Sequence, residues 1–207
     1  WDLEIIRYLF KTNISVKCVG DNKQATFRTN NSPKYKQYRD ERIRDFFVLQ
    51  KNAGICSLSY SNITRRFNQE ICNFVNTIHN DKESYICPSD ESERNDIENT
   101  GVFIIDNRYI EQYCSFYNPT ILRYNCNSKI EFNHNCSIFN YGNSKGATFD
   151  RIVIVPVGTV LPFINEQKQI ESNQTRSKFY VACTRAKHSI VFTMDKPKEN
   201  RFFKSQQ

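Results

Sequence analysis

The chain has 207 residues, of which 39% are hydrophobic and 14% aromatic, so it can fill a core of domain size, and disorder is excluded as the default state. Apolar runs such as Ile152 to Val155 are a few residues long, against the roughly 20 that cross a bilayer, so no membrane partner is expected. With 29 Lys and Arg against 22 Asp and Glu the net charge is +7, a balance that suits a polyanionic partner.

Leu3, Ile6, Leu9 and Phe10 recur at helical spacing, and the alternating segment from Ile14 to Val19 runs into Gly20-Asp21, which predicts helix, strand and turn. A polar loop from Phe27 to Lys34 precedes a charged helix from about Tyr35 to Leu49, ended by Ala53-Gly54, and Ile55 to Ser59 has the pattern of a short strand. Phe67, Ile71, Phe74, Val75 and Ile78 mark an amphipathic helix from about Asn68 to His79, and the acidic, Pro-containing stretch that follows, about 80–100, reads as an inserted loop. Then come a strand at Val102 to Ile105, a helix around Tyr109 to Phe116, a strand at Thr120 to Tyr124 and a strand ending near Asn140. The β-branched run Ile152 to Val155 has the composition of a strand buried on both faces, and a helix from Thr175 to Lys187 and a strand from Ser189 to Met194 close the pattern. Strands alternating with helices at this spacing predict an α/β fold, a parallel sheet flanked by helices.

Eight cysteines and several Asn-x-Ser/Thr triplets raise a secreted disulfide protein as an alternative. Irregular spacing and the placing of most of these cysteines in apolar segments favour thiols acting as small hydrophobes. Cys126, His134 and Cys136 form the one ligand-like grouping, and no metal site is expected from it. No basic stretch followed by an apolar one opens the sequence, and a cytoplasmic protein is expected.

Asn143-Ser144-Lys145-Gly146 is similar to part of a phosphate loop, but Gly follows Lys and no Walker A spacing occurs. More informative is a series of polar motifs in order along one α/β pattern. Val19-Gly20-Asp21-Asn22-Lys23-Gln24-Ala25-Thr26-Phe27 resembles motif III of the UvrD-like superfamily 1A DNA helicases. Thr64-Arg65-Arg66-Phe67-Asn68-Gln69-Glu70-Ile71 is similar to motif IV, Asn143-Ser144-Lys145-Gly146-Ala147-Thr148-Phe149-Asp150 to motif V, and Phe179-Tyr180-Val181-Ala182-Cys183-Thr184-Arg185-Ala186-Lys187 to motif VI.

This resemblance implies a RecA-like sheet, the second helicase core domain, over residues 51–207, with the end of a first RecA-like domain over 1–50. It also implies that the Walker A and B motifs precede this chain, which alone is expected to be inactive. ATP with Mg2+ is the implied cofactor, the metal ligands lying upstream. Gln24 is implied as the γ-phosphate sensor, and Arg66 and Arg185 as arginines reaching the triphosphate, with Gly146 and Thr148 beside the nucleotide. Phe27, Asn140 and Lys145 are implied contacts to single-stranded or tailed DNA. The short span between motifs IV and V, about 60 residues, and the Ser-Lys-Gly-x-Thr-Phe-Asp string look similar to helicase-like subunits of Gabija-type anti-phage systems, which implies a nuclease subunit as partner.

Three departures stand out. Gly142 occupies the family's motif V His position, Thr148 its sugar-binding Glu position, and Thr29 the position of a base-stacking Trp. Thr148 and Thr29 leave a second reading open, a non-catalytic helicase-fold module that senses nucleotide or DNA and regulates a partner nuclease.

Overall fold

The computed structural model describes residues 2–26, 32–89, 97–197 and 204–205. The chain divides into two compact units, residues 1–61 and 62–207.

The first unit holds helix α1 (Asp2–Leu9), two short 3-10 segments (Pro33–Tyr38 and Asp40–Arg42) and helix α2 (Ile43–Asn52). Leu3, Tyr35 and Phe46 are its buried core, with Ile6, Phe10, Tyr38, Ile43 and Phe47 packed around them. Glu4 accepts hydrogen bonds from the Tyr35 hydroxyl and the Lys34 ammonium, and these bonds hold its carboxyl below the usual range. The single helix expected from Tyr35 to Leu49 is broken, because Asp40 adopts φ 56, outside helical geometry. The expected strand from Ile14 to Val19 is irregular, with Ile14, Val16 and Val19 exposed. Alternation fits a sequence to a sheet face, but a strand also needs a neighbouring backbone, and none of the described strands lies beside this segment. Ile55 to Ser59 is irregular for the same reason.

The second unit is built on a parallel sheet. Strands β3 (Gly101–Asp106), β4 (Thr120–Arg123), β5 (Ile138–Asn140), β6 (Phe149–Ile154), β7 (Ala186–Met194) and the two-residue β8 (Lys204–Ser205) lie in the order β5-β4-β6-β7-β3-β8. Every pair is parallel. A separate two-residue pair, β1 (Ile63–Thr64) with β2 (Cys87–Pro88), is also parallel.

Alternate residues of the central strands feed two cores, as a sheet covered on both faces requires. Val102, Ile104, Ile152, Ile154, Ile190 and Phe192 meet helices α3 (Gln69–His79), α5 (Leu161–Glu166) and α6 (Asn173–Cys183). Phe103, Ile105, Val153 and Val191 face the other way, against Ile110, Tyr113 and Cys114 of α4 (Ile110–Tyr117). Helix α3 starts where expected because the Asn68 carboxamide accepts from the Ile71 N–H at 3.1 Å. All eight cysteines are free thiols, and burial pushes Cys72 up to about 12. Among the described residues no helix is long and apolar enough to cross a membrane.

Gly101 opens β3 at φ +121, where a Cβ would stand 2.5 Å from the Glu70 carboxylate. Gly101→Ala is expected to lower unfolding stability by about 1–3 kcal/mol in urea titrations. Adding Glu70→Ala relieves the contact but not the backbone strain, so full recovery in the double variant would contradict this account.

At the far end of β3, Asp106 accepts from the Arg108 guanidinium at 2.9 and 3.1 Å and from the Arg108 N–H at 2.9 Å. These bonds, the side-chain ones foremost, lower its carboxyl from 3.8 to about 2. A depressed carboxyl contributes stability that is present above its unfolded value and lost as pH falls through the folded one. Stability is therefore expected to drop between pH 3.8 and about 2, and Asp106→Asn to flatten that part of the stability–pH curve. An unchanged slope in Asp106→Asn would contradict the assignment.

Candidate functional site

The polar motifs of the second unit meet at one place. Arg66 stands between β1 and α3, and the turn 145–148 leads into β6. Thr184 and Arg185 form the tight turn between α6 and β7, closed by the Thr184 N–H to the Tyr180 carbonyl at 3.0 Å and the Arg185 N–H to the Ala182 carbonyl at 3.1 Å. The sequence pattern predicts a helix through Lys187. The helix instead ends at Cys183 and the strand begins at Ala186, because the Arg185 carbonyl is taken by the Phe149 N–H at 2.9 Å and Ala186 is paired with Phe149. Sheet pairing overrides local helix propensity here.

Arg66 joins the three segments. Its Nη1 donates to the Thr184 carbonyl at 2.7 Å, across 118 positions of sequence, and its Nε donates to the Thr148 hydroxyl at 3.2 Å. It is half-buried, and desolvation lowers its pKa. Arg185 is 2% exposed and folds back over the end of α6. Its Nε donates to the Val181 carbonyl at 2.9 Å, Nη1 to the Ala147 carbonyl at 3.3 Å and Nη2 to the Thr184 hydroxyl at 2.9 Å. That hydroxyl in turn donates to the Val181 carbonyl at 3.0 Å, so Thr184 orients both arginines, one through its carbonyl and one through its side chain.

Gly146, at φ 89, gives the turn a conformation that residues with a Cβ rarely adopt, and a Cβ there would meet open space. Lys145 and Thr148 on either side are exposed. Below them the turn is anchored: Ser144 is buried and donates to the Tyr141 carbonyl at 2.7 Å, and the Tyr141 hydroxyl donates to the Val155 carbonyl at 2.9 Å. Asn140 ends β5 opposite Arg123, whose Nε donates to the Asn140 carboxamide oxygen at 3.2 Å.

Gln24 belongs to the first unit. It closes a 3-10 turn capped by Asp21, whose carboxylate accepts from the Lys23 N–H at 2.9 Å and from Gln24 Nε2 at 2.7 Å. Phe27 and Thr29 lie outside the described residues. Arg66, Gly146, Thr148 and Arg185 are thus brought together with Thr184, while Lys145 opens the same turn and Asn140 ends the strand that precedes it.

Two residues outside the expected site set support it. Arg123 enters only through its register opposite Asn140. Asn76 clamps the backbone at Ile86 with two bonds of 2.9 Å and so fixes β2 beside β1, the strand leading to Arg66. In the sequence Asn76 closes the stretch that runs on from the motif IV resemblance, a polar residue within an apolar helical stripe. Among the described residues no group of three or more His, Cys, Asp and Glu side chains is placed to hold a metal ion.

No protein-family model matches the chain, and no curated protein matches it. Among solved structures it is similar to the PRRSV nsp10 helicase, at 21% identity over 63% of this chain and 23% of that one, with a TM-score of 0.38. A further PRRSV helicase structure matches at 18% identity over 69% and 24% of the two chains, with a TM-score of 0.40. The C-terminal domain of a possible DNA helicase from Lactobacillus plantarum WCFS1 matches at 12% identity over 70% and 83%, with a TM-score of 0.25. The chain spans about a quarter of the length of the PRRSV helicases it matches.

Proposed function

We propose that this chain is part of an ATP-dependent DNA helicase or translocase of the UvrD-like superfamily 1A type, with the 62–207 unit as the second RecA-like motor domain. The observation that supports this is the meeting of Arg66 and Arg185 at Thr184, beside the glycine turn 145–148. The half-buried Arg66, the buried Arg185 behind it and a backbone turn that admits close approach make a positively charged corner suited to a polyphosphate.

ATP with Mg2+ would supply the phosphoryl group and the charge on its oxygens. In this reading Arg66, half-buried at the rim, and Arg185 behind it would hold the phosphates and stabilise the negative charge on them. Thr184, bonded to both, would keep the two guanidinium groups in position. Gln24 would serve as a nucleotide sensor within the first unit, its side-chain amide held by Asp21. Lys145 and Asn140 would contact the backbone of single-stranded DNA, with Phe27 as a base contact, and a cytoplasmic setting belongs to the same proposal.

A second reading has an observation of its own. Thr148 stands exposed where the resembled motif has a sugar-binding acid, and Arg185 is tied to main-chain carbonyls. Both suit a domain that senses nucleotide or DNA and signals to a partner nuclease without separating strands. Strand separation of a tailed duplex by the full-length protein with ATP distinguishes the two. The motor reading expects unwinding that requires ATP, and nucleotide hydrolysis without strand separation or movement along DNA would support the sensor.

A further inference from the structure

We propose that Phe139, on the edge strand β5, is a platform on which a base of single-stranded nucleic acid stacks, an inference that rests on the nucleic-acid reading above. Among the described strands β5 is the outermost at its end of the sheet, and two successive residues in it, Ile138 and Phe139, are each 38% exposed. Soluble proteins normally guard such edges with charge or proline. Successive strand residues face opposite sides of a sheet, so it is the setting of Phe139 on its own face that bears on an occupant.

The position of Phe139 indicates which occupant. It is in register with Leu122, a member of the core beneath α3, α5 and α6, so its ring stands at the rim of that face. There it rests on Phe149, with ring centroids 5.3 Å apart and planes tilted by 41°. Phe149 directly follows Thr148, which accepts the Arg66 bond, so the aromatic pair adjoins the arginine cluster. Asn140 follows Phe139, and since its carboxamide oxygen accepts from Arg123, its NH2 is the donor end.

The surrounding charge has the matching sign. From Pro119 to Arg151 the charged residues are Arg123, Lys129, Lys145 and Arg151 against Glu131 and Asp150, four basic to two acidic. An aromatic ring with flanking amide and ammonium donors is the combination by which proteins hold single strands without reading sequence. An extended peptide adding to β5 would use the strand's backbone, and would leave the aromatic pair and the basic flank unexplained.

The test uses the full-length protein without nucleotide and an oligothymidylate carrying a central 2-aminopurine. Wild type is expected to bind it with quenching of the 2-aminopurine emission. Phe139→Ala is expected to weaken binding by about 5- to 150-fold, the range for loss of one stacked base, and Phe139→Trp to restore it. Unchanged melting of both variants would confirm that the fold is intact. If wild type binds the oligonucleotide and Phe139→Ala binds equally well, the stacking assignment is overturned while the nucleic-acid reading stands, and β5 becomes a candidate edge for a peptide strand. If wild type fails to bind, the nucleic-acid reading itself fails and takes the inference with it.

Discussion

Arg185→Lys in the full-length protein is expected to lower DNA-stimulated ATP hydrolysis by about 10³-fold or more, the effect typical of arginines that stabilise phosphoryl transfer. Lysine keeps the charge but not the planar fork that engages the Val181 and Ala147 carbonyls and the Thr184 hydroxyl together. Because Arg185 is buried, a purely structural role must be separated from a chemical one. Steady-state hydrolysis, nucleotide affinity and thermal melting, measured on the same preparation, make that separation. Melting is expected to fall with the lost buried hydrogen bonds, and the turnover number of the folded fraction to fall far more, while nucleotide affinity changes little. A loss confined to melting, with turnover preserved in the folded fraction, would place Arg185 in the scaffold only.

The largest effect on stability is expected at Phe179. Its side chain is fully buried in α6, with ring centroids at 5.8 Å from Phe163, 5.9 Å from Phe192 and 6.4 Å from Tyr141. Phe74 continues the cluster at 5.6 Å from Phe192. These rings join α3, α5 and α6 to β7, so the cavity left by truncation is bordered by four elements that cannot all collapse into it. Phe179→Ala is expected to cost about 3–5 kcal/mol in urea unfolding. A cost below about 1 kcal/mol, the level of a volume-conserving swap, would show that the cluster is not the centre of the core.

The second unit was the more legible of the two. Its strands are β-branched runs and its helices carry apolar stripes, and burial on both faces makes those patterns strong, as at Ile152 to Ile154. Helix α5 escaped because six residues with Pro162 at the start are too few for a period to show. The α6–β7 junction was misread because Ala182 to Lys187 contains neither Gly nor Pro, and the stop comes from a bond to Phe149, 36 positions back in sequence and invisible to local reading. That error bears on function: Arg185 sits in a turn and folds back on the chain, where a helical reading has it projecting outward.

In the first unit the alternation of Ile14 to Val19 misled because periodicity reports a suitable face and says nothing of a neighbouring strand. The positive φ of Asp40 left no trace, since Asp tolerates that conformation without the glycine that would flag it. The site residues were legible as motifs, but their geometry was not. The sequence places Arg66 and Arg185 in order along the chain, and only the fold brings both to Thr184.

The central claim is that this meeting of two arginines serves a nucleotide whose hydrolysis is coupled to DNA. Its most direct test is ATP hydrolysis by the full-length protein, followed with and without single-stranded DNA. A rise in turnover with DNA, lost when Arg66 is replaced by alanine, is the predicted result. ATP that is neither bound nor hydrolysed in the presence of DNA, or turnover unaffected by Arg66→Ala, would contradict it.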